Sequence, residues 1–165
     1  MADKPDYWQL VKVPALITLG VTFLRLAGEF MDLPAFLASK EAGGSGAIIG
    51  IVWLAPIFGV YFAQKLASYP GSLWKNLFKT LGLYALAARI PVIIITGLAI
   101  FGEWGTHYDA FPPPPTFPFD TPMMKFLVGG VATQLLFWAL IWTVGTGMLF
   151  GFIGTKLRSP KKATA

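Results

Sequence analysis

The sequence predicts an all-α integral membrane protein in which four transmembrane helices form a bundle. Composition is the first observation: of 165 residues, 55% are hydrophobic and only 13% are charged, and the mean hydropathy is +0.63. An ordinary soluble domain has about 25% charged residues. Because a chain with so little polar surface cannot cover itself against water, we expect a single domain embedded in a lipid bilayer.

Four long apolar runs are the second observation, and they cover residues 10–31, 46–67, 77–101 and 126–153. A hydrocarbon core about 30 Å thick needs about 20 apolar residues in a helix. The last run exceeds that length, so we expect its helix to tilt or to begin above the bilayer plane. The whole chain, residues 1–165, then forms one transmembrane domain. A proline-rich outer loop lies at 102–122 between helices 3 and 4, and a cytoplasmic tail at 154–165.

The distribution of basic residues predicts the orientation. If both termini share one side, only Lys40 and Lys125 fall on the other side. The terminal side then carries Lys4, Lys12, Lys65, Lys75, Lys79, Lys156, Arg158, Lys161 and Lys162. By the positive-inside rule, both termini are cytoplasmic, and we expect a multi-pass protein of the bacterial inner membrane.

Composition also excludes several functions. The absence of cysteine excludes disulfides, thiolate metal sites and iron–sulfur clusters. A single histidine excludes a bis-histidine haem, and no nucleotide-binding, zinc-protease or serine-hydrolase motif is present. The net charge of +5 is spread over the ends of apolar runs, so we expect no nucleic-acid partner. We therefore expect no cofactor, and an enzyme is the least supported class.

The first apolar run carries a stripe of polar residues. Thr18, Thr22, Arg25 and Glu29 follow a 4-3-4 spacing, which puts them on one face of a helix. Arg25 and Glu29 are four residues apart and can form an ion pair on the helix surface. We expect this face to be turned toward the other helices.

A second intramembrane charge, Arg89, lies in the third run, and Gln134 lies in the fourth. A charge near the bilayer centre costs about 2.5–3.5 kcal/mol on insertion scales. We therefore expect Arg89 to face the bundle interior and the polar stripe of helix 1. Two arginines then share one carboxylate, Glu29, which leaves an excess positive charge. The predicted polar network consists of Thr22, Arg25, Glu29, Arg89 and Gln134.

Two interpretations of this network stay open. In one, the arginines and Glu29 form a static clamp that fixes the register of the helices, as buried ion pairs often do. In the other, the excess cation binds a small inorganic anion, a carboxylate or a lipid phosphate, for which a guanidinium is well suited. Glycine pairs at Gly46–Gly50, Gly147–Gly151 and Gly59–Ala63 would serve close helix packing within the bundle or between subunits.

The segment "GEWGTHYD" forms a polar cluster at the outer face, with Glu103, Trp104, His107, Tyr108 and Asp109. A histidine with two carboxylates is a possible metal or acid–base set. Three ligands from one short loop, with no second histidine in the chain, make a poor zinc site, so we expect no metal. The alternative is that the aromatic residues anchor the interface while the polar groups order the loop.

These observations leave three classes of function. The first is a small homo-oligomeric channel or transporter that binds an anion or an anionic membrane lipid at the intramembrane arginines. The second is a non-catalytic accessory or assembly subunit of a larger membrane complex. The third is an outer-leaflet enzyme or metal site that uses His107. Four helices enclose little volume, so a transport path would form more easily between subunits.

Overall fold

The structure is a computed structural model and describes residues 4–31, 51–110 and 119–156. It contains four helices: α1 (Tyr7–Phe30), α2 (Ile51–Leu66), α3 (Leu73–Gly102) and α4 (Pro122–Lys156). The prediction of an all-helical membrane protein is confirmed in that α1, α3 and α4 are long and apolar enough to cross a membrane. The predicted start of helix 2 at residue 46, the proline-rich segment 111–118 and the tail beyond residue 156 lie outside the described residues.

Capping residues make the helices longer than the apolar runs. The carboxylate of Asp6 accepts a hydrogen bond of 3.1 Å from the backbone N–H of Gln9, so α1 begins at Tyr7. The hydroxyls of Ser72 and Thr121 cap α3 and α4 in the same way. Each side-chain oxygen satisfies a backbone donor that the first helical turn leaves without a partner.

The middle of α4 is wound differently from the other helices. Residues Phe126–Thr146 form a π-helix, and the last segment, Gly147–Lys156, returns to α-helical winding. The hydroxyls of Thr133 and Thr143 donate to carbonyl oxygens five residues earlier. Because a π-helix has more residues per turn, it rises less per residue. The winding therefore makes α4 shorter than an α-helix with the same number of residues, and the expected tilt or protrusion of this long helix stays a prediction.

The helices pack with two distinct ends. The starts of α1 and α3 and the ends of α2 and α4 meet at one end, where the Tyr7 hydroxyl donates to the Asn76 side chain at 2.9 Å. We call this the lysine-rich end, because it carries the exposed side chains of Lys65, Lys75, Lys79 and Lys156. We call the opposite end, where α1 and α3 finish, the histidine end, because His107 contacts α1 there.

Two hydrophobic clusters fill the bundle. The larger lies toward the lysine-rich end and includes Phe58, Phe62, Leu77, Leu81 and Tyr84. The smaller lies toward the histidine end and consists of Val92, Ile95, Ala99 and Tyr108. On α3 the larger cluster reaches Ala88 and the smaller begins at Val92. Arg89 therefore lies where the two clusters meet.

Glycines bring α2 and α4 into backbone contact. A Cβ atom on Gly59 would lie 2.7 Å from the Cα of Gly147, and one on Gly151 would lie 2.7 Å from the Leu77 side chain. Larger residues do not fit at these positions, so the backbones approach as small-residue motifs allow. The pairs Gly147–Gly151 and Gly59–Ala63 thus serve packing inside the bundle. The pair Gly46–Gly50 lies outside the described residues.

Candidate functional site

The polar stripe of α1 faces α3. Thr18 and Thr22 are buried, and their hydroxyls donate to carbonyl oxygens one turn earlier on α1, at 2.9 and 3.0 Å. The hydroxyl of Thr18 also lies 2.7 Å from the hydroxyl of Tyr84 on α3. Burial of these hydroxyls is compatible with an apolar environment because each has a hydrogen-bond partner.

Glu29 pairs with a loop residue rather than with an arginine. Its side chain is buried, and Oε2 accepts a hydrogen bond of 2.7 Å from the backbone N–H of His107. Oε1 accepts a second hydrogen bond from Nδ1 of the same residue. The described structure has no ion pair between Arg25 and Glu29, which their spacing in the sequence had allowed. One loop residue, His107, instead supplies donors to both carboxylate oxygens. The predicted clamp of two arginines around this carboxylate is therefore not formed within the described residues.

The loop of residues 103–110 holds His107 in place. The loop begins where Glu103 adopts a left-handed conformation, with φ of 51°, and Gly105 follows with φ of 67°. The carboxylate of Asp109 then accepts from the backbone N–H groups of Gly105 and Thr106, at 2.9 and 2.6 Å, and from the Thr106 hydroxyl at 2.9 Å. Asp109 thus closes a turn through local side-chain to backbone hydrogen bonds, which fixes the direction of His107.

Tyr108 closes the histidine end of the site. Its side chain is buried, and its hydroxyl donates to the carbonyl oxygen of Thr22 at 3.4 Å. Burial raises the pKa of Tyr108 to about 12; the positive charge of Arg25 lowers this pKa, Glu29 raises it and Arg89 lowers it. The phenol is therefore neutral near pH 7, and its O–H can donate a hydrogen bond to the backbone carbonyl oxygen of Thr22.

Arg89 is buried between α3 and α4 with only 6% of its surface exposed. Nη1 donates to Oε1 of Gln134 at 3.1 Å, and the guanidinium lies over the ring of Trp138, 5.3 Å from its centroid. Nε and Nη2 of Arg89 are buried and have no hydrogen-bond partner in the described part of the chain. The same holds for Nε of Arg25. Since Gln134 is neutral, it satisfies one donor of Arg89 but does not balance its charge.

The structure thus divides the predicted network into two parts. Glu29 is joined to the loop, and Arg89 is joined to Gln134. Sequence reasoning missed Trp138 and Tyr84, although Trp138 follows Gln134 by four residues and would share its face on an ordinary helix. That spacing was a usable signal.

The remaining members of the predicted outer cluster have separate contacts. The Glu103 side chain is exposed, while the Trp104 ring packs edge-on against Phe30 with a centroid distance of 5.6 Å. Within residues 4–31, 51–110 and 119–156, no three His, Asp or Glu side chains come together as a metal site would require. The loop residues described above instead order the loop and bind it to α1.

Comparison of the chain with known protein families, with curated proteins and with solved structures found no match. The class of protein therefore rests on the helices and on the site. It is a helical protein with three helices long and apolar enough to span a membrane. Among the described residues, the buried charged side chains are Glu29 on α1 and Arg89 on α3.

Proposed function

We propose that this chain is a small polytopic membrane protein that binds an anion, or the headgroup of an anionic lipid, at Arg25 and Arg89, and that it acts as a channel or transporter. One observation carries the proposal: the buried guanidinium of Arg89 has a single hydrogen-bond partner among the described residues, and that partner is neutral. A buried cation without a counter-charge is costly. A bound anion removes that cost.

The position of Glu29 strengthens this argument. Glu29 is the one fully buried carboxylate among the described residues, and both of its oxygens are bound to His107. The carboxylate that could have neutralised an arginine is therefore already engaged. Neither Arg25 nor Arg89 then has a carboxylate partner among the described residues, which favours an anion from outside the chain.

The proposed location follows from the lysines. The exposed lysines of the lysine-rich end would face the cytoplasm by the positive-inside rule, with the histidine end outside. Both termini are then cytoplasmic, in the inner membrane of a bacterium. Four helices enclose little volume, so we propose that the conduction path forms between copies of the chain in a homo-oligomer.

A second candidate is a non-catalytic subunit of a larger membrane complex. The contacts of Arg89 with Gln134 and Trp138 favour it, because they join α3 to α4 without any ligand. In this case Arg89 is a structural link between helices, and the protein's partners are other membrane subunits.

Replacement of Arg89 by leucine separates the two candidates. In the anion-binding protein freed of its ligand, Arg89 is an unbalanced buried charge, so the melting temperature (Tm) of Arg89→Leu in detergent equals or exceeds that of ligand-free wild type, and the variant no longer binds the anion. In the structural subunit, the variant loses the link to Gln134, and Tm falls. Because Glu29 keeps its bonds to His107 in either case, the variant leaves no carboxylate without a partner.

The measurement is native mass spectrometry of protein released gently from its own membranes, together with Tm. We expect wild type to carry an anionic ligand that Arg89→Leu lacks. Lys79→Leu, which removes a cation at the lysine-rich end, is the matched control and should keep the ligand. Recovery of foreign subunits at fixed stoichiometry, with no bound anion, would contradict the proposal and support the second candidate.

A further inference from the structure

We infer that the ligand of Arg89 is an oxyanion with two neighbouring oxygens, a phosphate or a carboxylate group, and not a halide. This inference rests on the proposed function, because it names the class of anion that the same site accepts.

The arrangement of the donors on Arg89 carries the inference. A guanidinium is flat and presents its N–H groups along its edges. Gln134 occupies Nη1, whereas Nε and Nη2 are the buried donors without a partner. These two nitrogens share one edge, on which one N–H of each points in the same direction. The edge formed by Nε and Nη2 is thus a bidentate (two-pronged) hydrogen-bond donor with no partner among the described residues.

A two-pronged donor matches two acceptor oxygens on one atom. Carboxylates and phosphates bind such an edge through two parallel hydrogen bonds, which are shorter and stronger than bonds between neutral groups. A halide is a single acceptor, so it fills one position and leaves the edge poorly satisfied. In a buried site an unsatisfied donor lowers the affinity for the ligand that leaves it without an acceptor.

The surroundings of Arg89 hold this edge in one orientation. The ring of Trp138 covers one face of the guanidinium, and the hydrogen bond to Gln134 prevents rotation in its plane. A donor fixed before binding loses little freedom when the ligand arrives. Nε of Arg25, on α1, is likewise buried and has no hydrogen-bond partner among the described residues.

Selectivity among simple anions tests the inference in the wild-type protein. The full chain is purified in a non-ionic detergent and stripped of lipid, and Tm is measured in sodium phosphate, acetate and chloride at equal ionic strength. We expect phosphate, acetate or both to raise Tm in a saturable way, since a ligand that binds only the folded state stabilises it. Chloride should leave Tm unchanged.

Arg89→Lys tests the two-pronged edge directly. Lysine keeps the positive charge but lacks the fork, so we expect phosphate or acetate to bind at least about tenfold more weakly than in wild type. Lys79→Arg changes a cation at the lysine-rich end and should bind as wild type does. If Arg89→Lys bound the oxyanion as tightly as wild type, the inference would be overturned. If the variant does not fold, the wild-type preference between oxyanion and chloride decides the question.

A parallel titration with a lipid identifies the source of the oxyanion. Soluble short-chain phosphatidylglycerol is titrated beside inorganic phosphate and acetate. Stabilisation by the lipid alone, lost in Arg89→Lys, supports a headgroup phosphate, and stabilisation by the small ions supports a free solute. Equal stabilisation by chloride would overturn the oxyanion inference but leave anion binding intact. If none of the four ligands raised Tm, the proposed function would fail together with this inference.

Discussion

The two ends of the bundle are stabilised in different ways. At the lysine-rich end, α2, α3 and α4 meet through glycines and aromatic rings, and Tyr84 packs edge-on against Phe58 and Phe62 with centroid distances of 5.3 and 5.7 Å. At the histidine end, α1 is bound to the loop by the hydrogen bonds of Glu29 with His107. The lysine-rich end is joined mainly by close packing, and the histidine end has in addition a buried carboxylate that holds the loop.

This difference shows where a ligand can act. Packed glycines and rings have one good arrangement, and a ligand has nothing to replace there. Toward the histidine end, the arginines have more buried donors than the described residues have acceptors for them. A ligand can supply the missing acceptors. The lysine-rich end then serves as the rigid part of the bundle against which the histidine end is held.

The largest expected effect comes from filling the contact of α2 with α4. In Gly59→Leu, the new side chain would meet the backbone of Gly147, which cannot move aside as a side chain can. We expect a loss of about 3 kcal/mol in the free energy of unfolding. The measurement is Tm in detergent. Gly20→Ala is the control, because its Cβ meets nothing within 4 Å, and it should be neutral or slightly stabilising. A wild-type Tm for Gly59→Leu would show that the two backbones do not touch.

Removing the charge of Glu29 tests the histidine end alone. In Glu29→Gln, one carboxylate oxygen becomes a donor that faces the donors of His107, so we expect a loss of about 2 kcal/mol. Hydrogen exchange should become faster in the amides of residues 103–110, while the amides of the lysine-rich end keep their protection. Glu103→Gln, at an exposed side chain, is the control and should change neither quantity. Uniform deprotection of all helices would contradict the separation of the two ends.

An alkaline pH series sharpens the same comparison. The pKa of tyrosine is about 10 in an unfolded chain, and burial raises that of Tyr108 to about 12. The folded state therefore favours the neutral phenol, so the contribution of this residue to stability is fully present, and independent of pH, below about pH 10. Stability should fall as pH rises from about 10 to about 12. Tyr108→Phe should show a shallower fall of Tm over that range. Identical slopes would show that the Tyr108 hydroxyl is not buried.

The smallest effect on stability is expected within the lysine-rich end. Tyr84→Phe removes the hydrogen bond with Thr18 but keeps the ring packed on Phe58 and Phe62, so we expect a loss of about 1 kcal/mol. Tyr61→Phe is the control, since the Tyr61 hydroxyl makes no hydrogen bond within the described residues. Chemical denaturation in detergent can resolve the difference. A loss of unfolding free energy as large as that of Glu29→Gln would mean that the lysine-rich end depends on polar contacts as strongly as the histidine end does.

The sequence predicted three of the four helices as helices long enough to span a membrane, and only part of the second predicted span, Ile51–Leu66, is described as a helix. Apolar length predicted α1, α3 and α4, and the structure differs mainly at their starts, where Asp6, Ser72 and Thr121 add polar first turns. The π-helical winding of α4 could not be predicted, because it depends on a small shift in backbone pairing. The segment Phe126–Thr146 contains no proline that would break ordinary α-helical pairing.

The site was predicted less completely than the helices. The 4-3-4 spacing identified which face of α1 is polar, and the arginine in an apolar run identified Arg89. Spacing along one helix shows which side chains share a face, but not what lies opposite. The partner of Glu29 is 78 residues away, in a loop whose shape depends on the left-handed Glu103 and on the hydrogen bonds of Asp109. Helical periodicity carries no information about such a loop.

The contact of Glu29 with His107 also sets an order of assembly. A ribosome makes Glu29 long before His107, so α1 must enter the membrane while its carboxylate lacks the partner that it has in the finished protein. During that interval the nearest opposite charge is Arg25, four residues earlier on the same helix. Once the loop is made, both oxygens of Glu29 bind His107, and Arg25 has no carboxylate partner within the described residues. The completion of biosynthesis would thus be the event that makes the cation available.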